Sequence, residues 1–223
     1  ANASLPWART SQADLCCLVI RSSPLPLPPP DQEREPIHTR EISCKGYLRQ
    51  DGLWDIEGHL RDTKSYTFNN QDRGDIEPGS PIHDMWLRIT VNDDLEVVDA
   101  LARTDHGPFG ICGNIAPRYD ALIGLKIGPG WTKKTKQLFG GINGCTHLTE
   151  LLGPVATTAF QTVFPYLSRK NKQPVEGSTT GTGKPPLLLN SCHAFASNST
   201  VVKKRWPDFY TDTHEDTENE ASA

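Results

Sequence analysis

The chain has 223 residues, enough for one domain with a substantial core or two small ones. Its 23 Lys and Arg against 27 Asp and Glu give a net charge of −4, which excludes the strongly basic balance of a non-specific nucleic-acid binder. A hydrophobic content of 36% with 18 Pro and 18 Gly implies stretches that carry no core, and no apolar run approaches membrane-spanning length.

Residues 1–36 read as a disordered, Pro-rich segment: "SSPLPLPPP" has polyproline composition and runs into the charged "DQERE". The apolar run Leu15–Ile20 is too short for a signal-peptide core and no cleavage pattern follows it, so the expected location is cytoplasmic. Six sparse cysteines in such a chain read as free thiols or metal ligands rather than as bridges.

A folded α+β domain is expected over 37–167. "ISCKGYLRQDGLWDIEGHLRDTKSYTF" holds two strand signals split by the turn Gln50-Asp51-Gly52. In the second, Trp54, Ile56, Gly58 and Leu60 alternate with Asp55, Glu57, His59 and Arg61, the pattern of a half-buried strand. "HDMWLRITV" alternates in the same way through Met85, Leu87, Ile89 and Val91, turns at Asn92-Asp93-Asp94, and returns as "LEVVDALART". The period then changes. Asn114 as cap and Pro117 in the first turn predict a helix through "RYDALIGL", and Thr132 is a candidate cap for a second over "GWTKKTKQLF". Leu148, Leu151, Leu152, Val155, Ala156, Ala159, Phe160 and Val163 fall on one face of a third helix, which Pro154 should kink. The expected architecture is an antiparallel sheet with helices packed on one side. A flexible linker over 168–186, a segment over 187–210 that packs back through its Leu and aromatic residues, and a disordered acidic tail over 211–223 complete the chain.

The chemistry concentrates in glycine-rich loops that open helices. In "GGINGCTHLTELLG" Cys145 enters a helix at its first turn, where the positive end of the helix favours thiolate. A buried structural cysteine is the plainer alternative. Cys112 in "GPFGICGNIAPRY" sits in a similar loop, and His83, His106 and His147 stand at element ends near these thiols in sequence. Imidazole with thiolate is a donor mix that zinc and some iron sites accept, although no CxxC or HExxH pattern is present. His59, beside Glu57 and Asp55 on one strand, has the composition of a general base, and a solvated strand face is its bland reading. Trp131 and the "IGPG" loop are candidates to line a pocket. "GSTTGTGK" lacks the spacing of a phosphate loop and is followed by Pro185-Pro186.

The phrases "HTREISCKGYLRQDGLWDIEGHL", "HDMWLRITVNDDL", "IGPGW" and "GCTHLTELLGPVATTAFQT" resemble a bacterial family of unknown function, from about His38 to Tyr210. More distantly, residues 81–163 are similar to the iron–sulfur cluster assembly scaffold fold, through the hairpin "HDMWLRITVNDDLEVVDALART" and the cysteine turns "ICGNIAP" and "NGCTHLTELL". That resemblance implies ligand positions at Cys112 and Cys145 and a ligand-adjacent position at His83. Pro81 stands where the scaffold has its first cysteine, and Gly144 where it has a histidine.

The expectation is a small metal-dependent enzyme. Zinc or ferrous iron would be held by His83, Cys112, Cys145 and His147, with Asp105, His59 or His106 as acid–base groups. The partner would be a small organic substrate, aromatic or acyl, with no nucleic acid and no membrane. The alternatives are a non-catalytic metal or iron–sulfur carrier serving an acceptor protein, and a structural adaptor with inert cysteines.

Overall fold

The computed structural model describes residues 27–171, 185–186 and 188–212. The Pro-rich segment through residue 26, Cys16 and Cys17, most of the linker with "GSTTGTGK", Leu187, and the acidic tail from residue 213 lie outside the described residues. The chain divides into two units, Ala1–Pro36 and Ile37–Ala223. In the first, residues 27–36 are exposed and contain no helix or strand.

In the second unit, four strands form an antiparallel meander in the order β1-β2-β3-β4, with β1 His38–Leu48, β2 Trp54–Lys64, β3 Pro81–Val91 and β4 Val97–His106. The first turn closes where the sequence places it. The Arg49 amide donates to the Leu53 carbonyl at 2.9 Å, and Gly52 takes φ +86°, which its missing Cβ permits. The second turn is held by the Asn92 side chain, which accepts from the amides of Asp94 (3.0 Å) and Glu96 (2.9 Å).

β2 alternates buried and half-buried from Trp54 through Thr63. Its inner row, Trp54, Ile56 and Leu60, joins Met85, Leu87, Ile89 and Val91 of β3 in the core. The other side of that core is α2 (Thr146–Asn171), through Leu148, Leu151, Leu152, Val155, Ala159 and Val163. Gly58 is what allows the close approach, since a Cβ there would lie 2.6 Å from Val155 Cγ2. The result is an α+β layer with one sheet face covered and the other open, where Trp86 and Leu101 are 39% and 52% exposed.

Four local expectations differ. The helix expected from Asn114 is a 3-10 stretch, Cys112–Leu122, with Ile111 rather than Asn114 at its cap and Pro117 inside it. Pro117 has no N–H to give an α-helical ladder, and Gly113 and Asn114 are poor helix formers. α1 (Trp131–Phe139) is capped by Gly130 at φ +89°, and Thr132 already lies inside the helix. α2 runs through both Pro154 and Pro165 and continues to Asn171, into the stretch read as linker. Trp131 is 5% exposed and its indole N–H donates to the Leu152 carbonyl at 3.1 Å, so it serves the core rather than a pocket wall. In the C-terminal segment α3 (Thr200–Arg205) starts at Ser199, whose hydroxyl accepts from the Val202 amide. Among the described residues no helix is long and apolar enough to cross a membrane.

Candidate metal centre

The site begins with register. In the β1–β2 pairing Arg40 lies opposite Asp62, and in the β2–β3 pairing Asp62 lies opposite His83. Directly paired residues share a sheet face, so the three stand in one row on the covered face. A register shift follows Asp62 in the β2–β3 ladder and another follows Asp84 in the β3–β4 ladder. Irregularities of this kind re-aim side chains at the end of a sheet. The first turn of α2 lowers His147 onto the same row.

Asp62 is the centre, its side chain only 1% exposed. An isolated carboxylate at that depth is strongly unfavourable. Arg40 offsets the cost with a two-pronged contact, Nε to Oδ1 at 2.8 Å and Nη2 to Oδ2 at 2.7 Å. His83 Nδ1 is 2.9 Å from Oδ2, His38 Nε2 is 3.3 Å from Oδ1, and His147 Nε2 is 4.0 Å from Oδ2. Burial pushes the Asp62 carboxyl up, but the Arg40 fork and the nearby His83 outweigh it and hold it below its ordinary value. Arg40 also reaches Glu150 of α2 at 2.6 Å. With neutral imidazoles, Arg40 (+1) against Asp62 and Glu150 (−1 each) leaves the cluster at net −1.

The imidazoles of His83 and His147 stack with centroids 3.7 Å apart. Burial lowers the pKa of both; the neighbouring His147 adds to the effect at His83, and Arg40 adds to it at His147. Both rings therefore favour the neutral form, which carries the lone pair a metal needs. One donor atom from each of Asp62, His83 and His147 lies within 4.8 Å of the others. Bonds of about 2.1 Å to one ion would put tetrahedral donors roughly 3.4 Å apart. Asp62 and His83 stand closer than that, at the 2.9 Å of a hydrogen bond, and His147, 4.0 Å from the carboxylate, would have to move in.

Cys145 stands behind His147, with its Sγ 3.8 Å from His147 Nδ1 and 3.8 Å from Met85 Sδ. Its position is fixed from two sides. The Tyr119 hydroxyl donates to the Cys145 carbonyl at 3.0 Å and accepts from the Cys145 amide at 3.2 Å. Gly144 packs so closely that a Cβ there would lie 2.4 Å from the Phe139 carbonyl oxygen.

Beside the cluster opens a pocket of about 640 Å³ with Met85, Phe109, Ile111, Ile115 and Ile142 in its walls. His83, Cys145 and His147 form one end, and Cys112 also lines it. Cys112 is nevertheless not among the donors that close up; its side chain lies over Gly107, where an added Cβ would come within 3.1 Å of the sulfur. His59 lies on the open sheet face, stacked on Trp86 at 3.8 Å and 2.8 Å from Asp84. Asp105 pairs with Arg103, and His106 is exposed at the end of β4; both border a separate, polar pocket near Asp72 and Arg73. The described cysteines, Cys44, Cys112, Cys145 and Cys192, are free thiols.

Sequence reading singled out His83 and His147 but passed over Asp62, Arg40, Glu150 and His38. A signal for Asp62 was present: it continues the alternating row of Trp54, Ile56, Gly58 and Leu60, which puts a carboxylate in phase with the buried face. Arg40 had no such signal, because β1 shows no burial alternation.

Fold and site together define an α+β domain with a buried carboxylate–imidazole cluster where sheet and helix meet, opening on an apolar pocket. The chain belongs to the family described as "Protein of unknown function (DUF2889)", whose match covers residues 38–161, more than half of its length. That span holds Arg40, Asp62, His83, Cys145, His147 and Glu150. No curated protein matches the chain. No solved structure matches it either, and the likeness to the iron–sulfur scaffold fold finds no support.

Proposed function

We propose that the protein is a metal-dependent enzyme whose divalent ion is held by Asp62, His83 and His147, and whose small organic substrate enters through the apolar pocket. The observation that carries this is the convergence of one buried carboxylate and two half-buried imidazoles, with a donor atom of each within 4.8 Å of the others. The net −1 charge of the cluster favours a cation. One carboxylate with two imidazoles suits ferrous iron or zinc. Such an ion supplies a Lewis acid for a carbonyl or hydroxyl oxygen.

This reading moves the ligand role from the two cysteines to Asp62. His147 presents Nε2 to the carboxylate side and Nδ1 to the Cys145 sulfur. Cys145 then acts as a positioning residue, fixing which imidazole nitrogen is free, as groups behind a ligand commonly do. The Arg40–Glu150 pair holds Asp62 in place in the same manner. A carrier would present its donors at an exposed rim without a cavity; here His83 and His147 are 15% and 21% exposed and adjoin a pocket.

The test is metal content by elemental analysis after anaerobic purification and after zinc or ferrous reconstitution. About one equivalent is expected in the wild type. Asp62→Asn, His83→Ala and His147→Ala should each lose most of it while circular dichroism stays native-like, and Cys112→Ser should keep it. A wild type that holds no metal under either condition, or a Cys112→Ser variant that loses it alone, defeats the assignment.

A further inference from the structure

We infer that the pocket beside the cluster takes an uncharged, largely apolar small molecule whose polar group points at His83 and His147. The inference deepens the metal reading and rests on it only for the role of that polar group.

The two ends of the pocket differ in kind. Met85, Phe109, Ile111 and Ile115 supply apolar wall, and the polar end is the imidazole–thiol cluster. Among the described residues that line it there is no Lys or Arg. The nearest fixed cation of the cluster, Arg40, is already engaged by Asp62 and Glu150. A phosphate or other multiply charged group would leave water without a cationic side chain in these walls to receive it. The cluster itself carries net −1 without an ion and +1 with a divalent one, so it is the walls that set the preference. The volume of about 640 Å³ lies within the range of small-molecule sites. At its mouth Ile142, Ile111 and Phe109 are 97%, 75% and 58% exposed. Contiguous exposure of that kind marks a surface that something apolar covers. Ile142 belongs to the short 3-10 turn Gly141–Asn143, separated from Cys145 only by Gly144, so the covering group and the polar end are presented by one loop.

The test uses the full chain and two probes, 2-naphthol and 2-naphthyl phosphate, with binding read by ligand-observed NMR and calorimetry. Both are titrated into chelator-treated and zinc-reconstituted protein. Naphthol should bind in both states, and the phosphate ester at least tenfold more weakly in the chelated state. Ile142→Asp and Phe109→Asp, at exposed positions that leave the core intact, should each weaken naphthol at least tenfold. Equal or tighter binding of the phosphate ester to chelated protein overturns the inference, as does unchanged naphthol affinity in both variants. So does a wild-type dimer that excludes naphthol and dissociates on Ile142→Asp, since the face would then belong to a second copy. Zinc content is measured in the same samples. Naphthol binding without any zinc uptake would remove the metal reading and leave the pocket assignment standing.

Discussion

A single carboxylate, Asp62, organises the site, and its state is set by what surrounds it. At 1% exposure it cannot remain charged without partners, and Arg40 is the strongest of them, with two contacts under 3 Å. Replacing Arg40 by Met keeps the length of the side chain and removes both. His83 and His38 still face the carboxylate, so the loss should stay at about 1–3 kcal/mol rather than reach the cost of a fully stranded charge. For a chain of this size that corresponds to a fall in melting temperature of roughly 2–4 °C per kcal/mol. Differential scanning calorimetry of wild type and Arg40→Met checks it; an unchanged transition would mean that Asp62 does not depend on the guanidinium.

At the scale of elements, the decisive junction is the loop that delivers α2. Gly144 has ordinary extended dihedrals, φ −155° and ψ 177°, so backbone freedom is not why glycine stands there. Space is the reason: the Phe139 carbonyl oxygen occupies the place of a Cβ. A Gly144→Ala substitution must push the start of α2 away from the end of α1, and His147 with it. The expected outcome is a destabilisation of about 1–3 kcal/mol, as for other overpacked sites, together with weaker zinc binding than wild type in a chelator-competition titration. Gly113→Ala is the control, because nothing lies within 4 Å of a Cβ there. Equal zinc affinity in the Gly144 and Gly113 variants would separate this loop from the site.

At the scale of the whole molecule, the four-stranded sheet divides the ionisable residues between two environments. The covered face carries Asp62 and His83 beneath α2. The open face carries His59 on Trp86, which the sequence had also offered for acid–base work. His59→Ala gives up the Trp86 stack and the Asp84 contact and should cost about 1 kcal/mol. Asp105→Asn should change stability by no more than about 0.5 kcal/mol, and both should leave metal stoichiometry at the wild-type value. His147→Ala should abolish it. Metal loss in the His59 variant would mean that the sheet does not separate the two faces functionally.

The sequence by itself determined the strands, the first hairpin turn, the antiparallel pairing of neighbours, and the apolar face of α2, because each rests on local periodicity or on a turn residue. It also marked one end of each stripe. His83 continues the row of Met85, Leu87, Ile89 and Val91, and His147 stands one turn before Leu151 on the helix face. The 3-10 stretch around Pro117 and the length of α2 escaped it, since propensity does not weigh Pro117 against packing or stop a helix that tertiary contacts sustain. Only the tertiary structure decided that Asp62 meets His83 and His147 while Cys112 stays apart. Those residues are separated by long stretches of chain, and what brings them together is strand register and the angle at which α2 crosses the sheet. Neither quantity is written in any local window of sequence, because each is fixed by how the buried faces fit against one another.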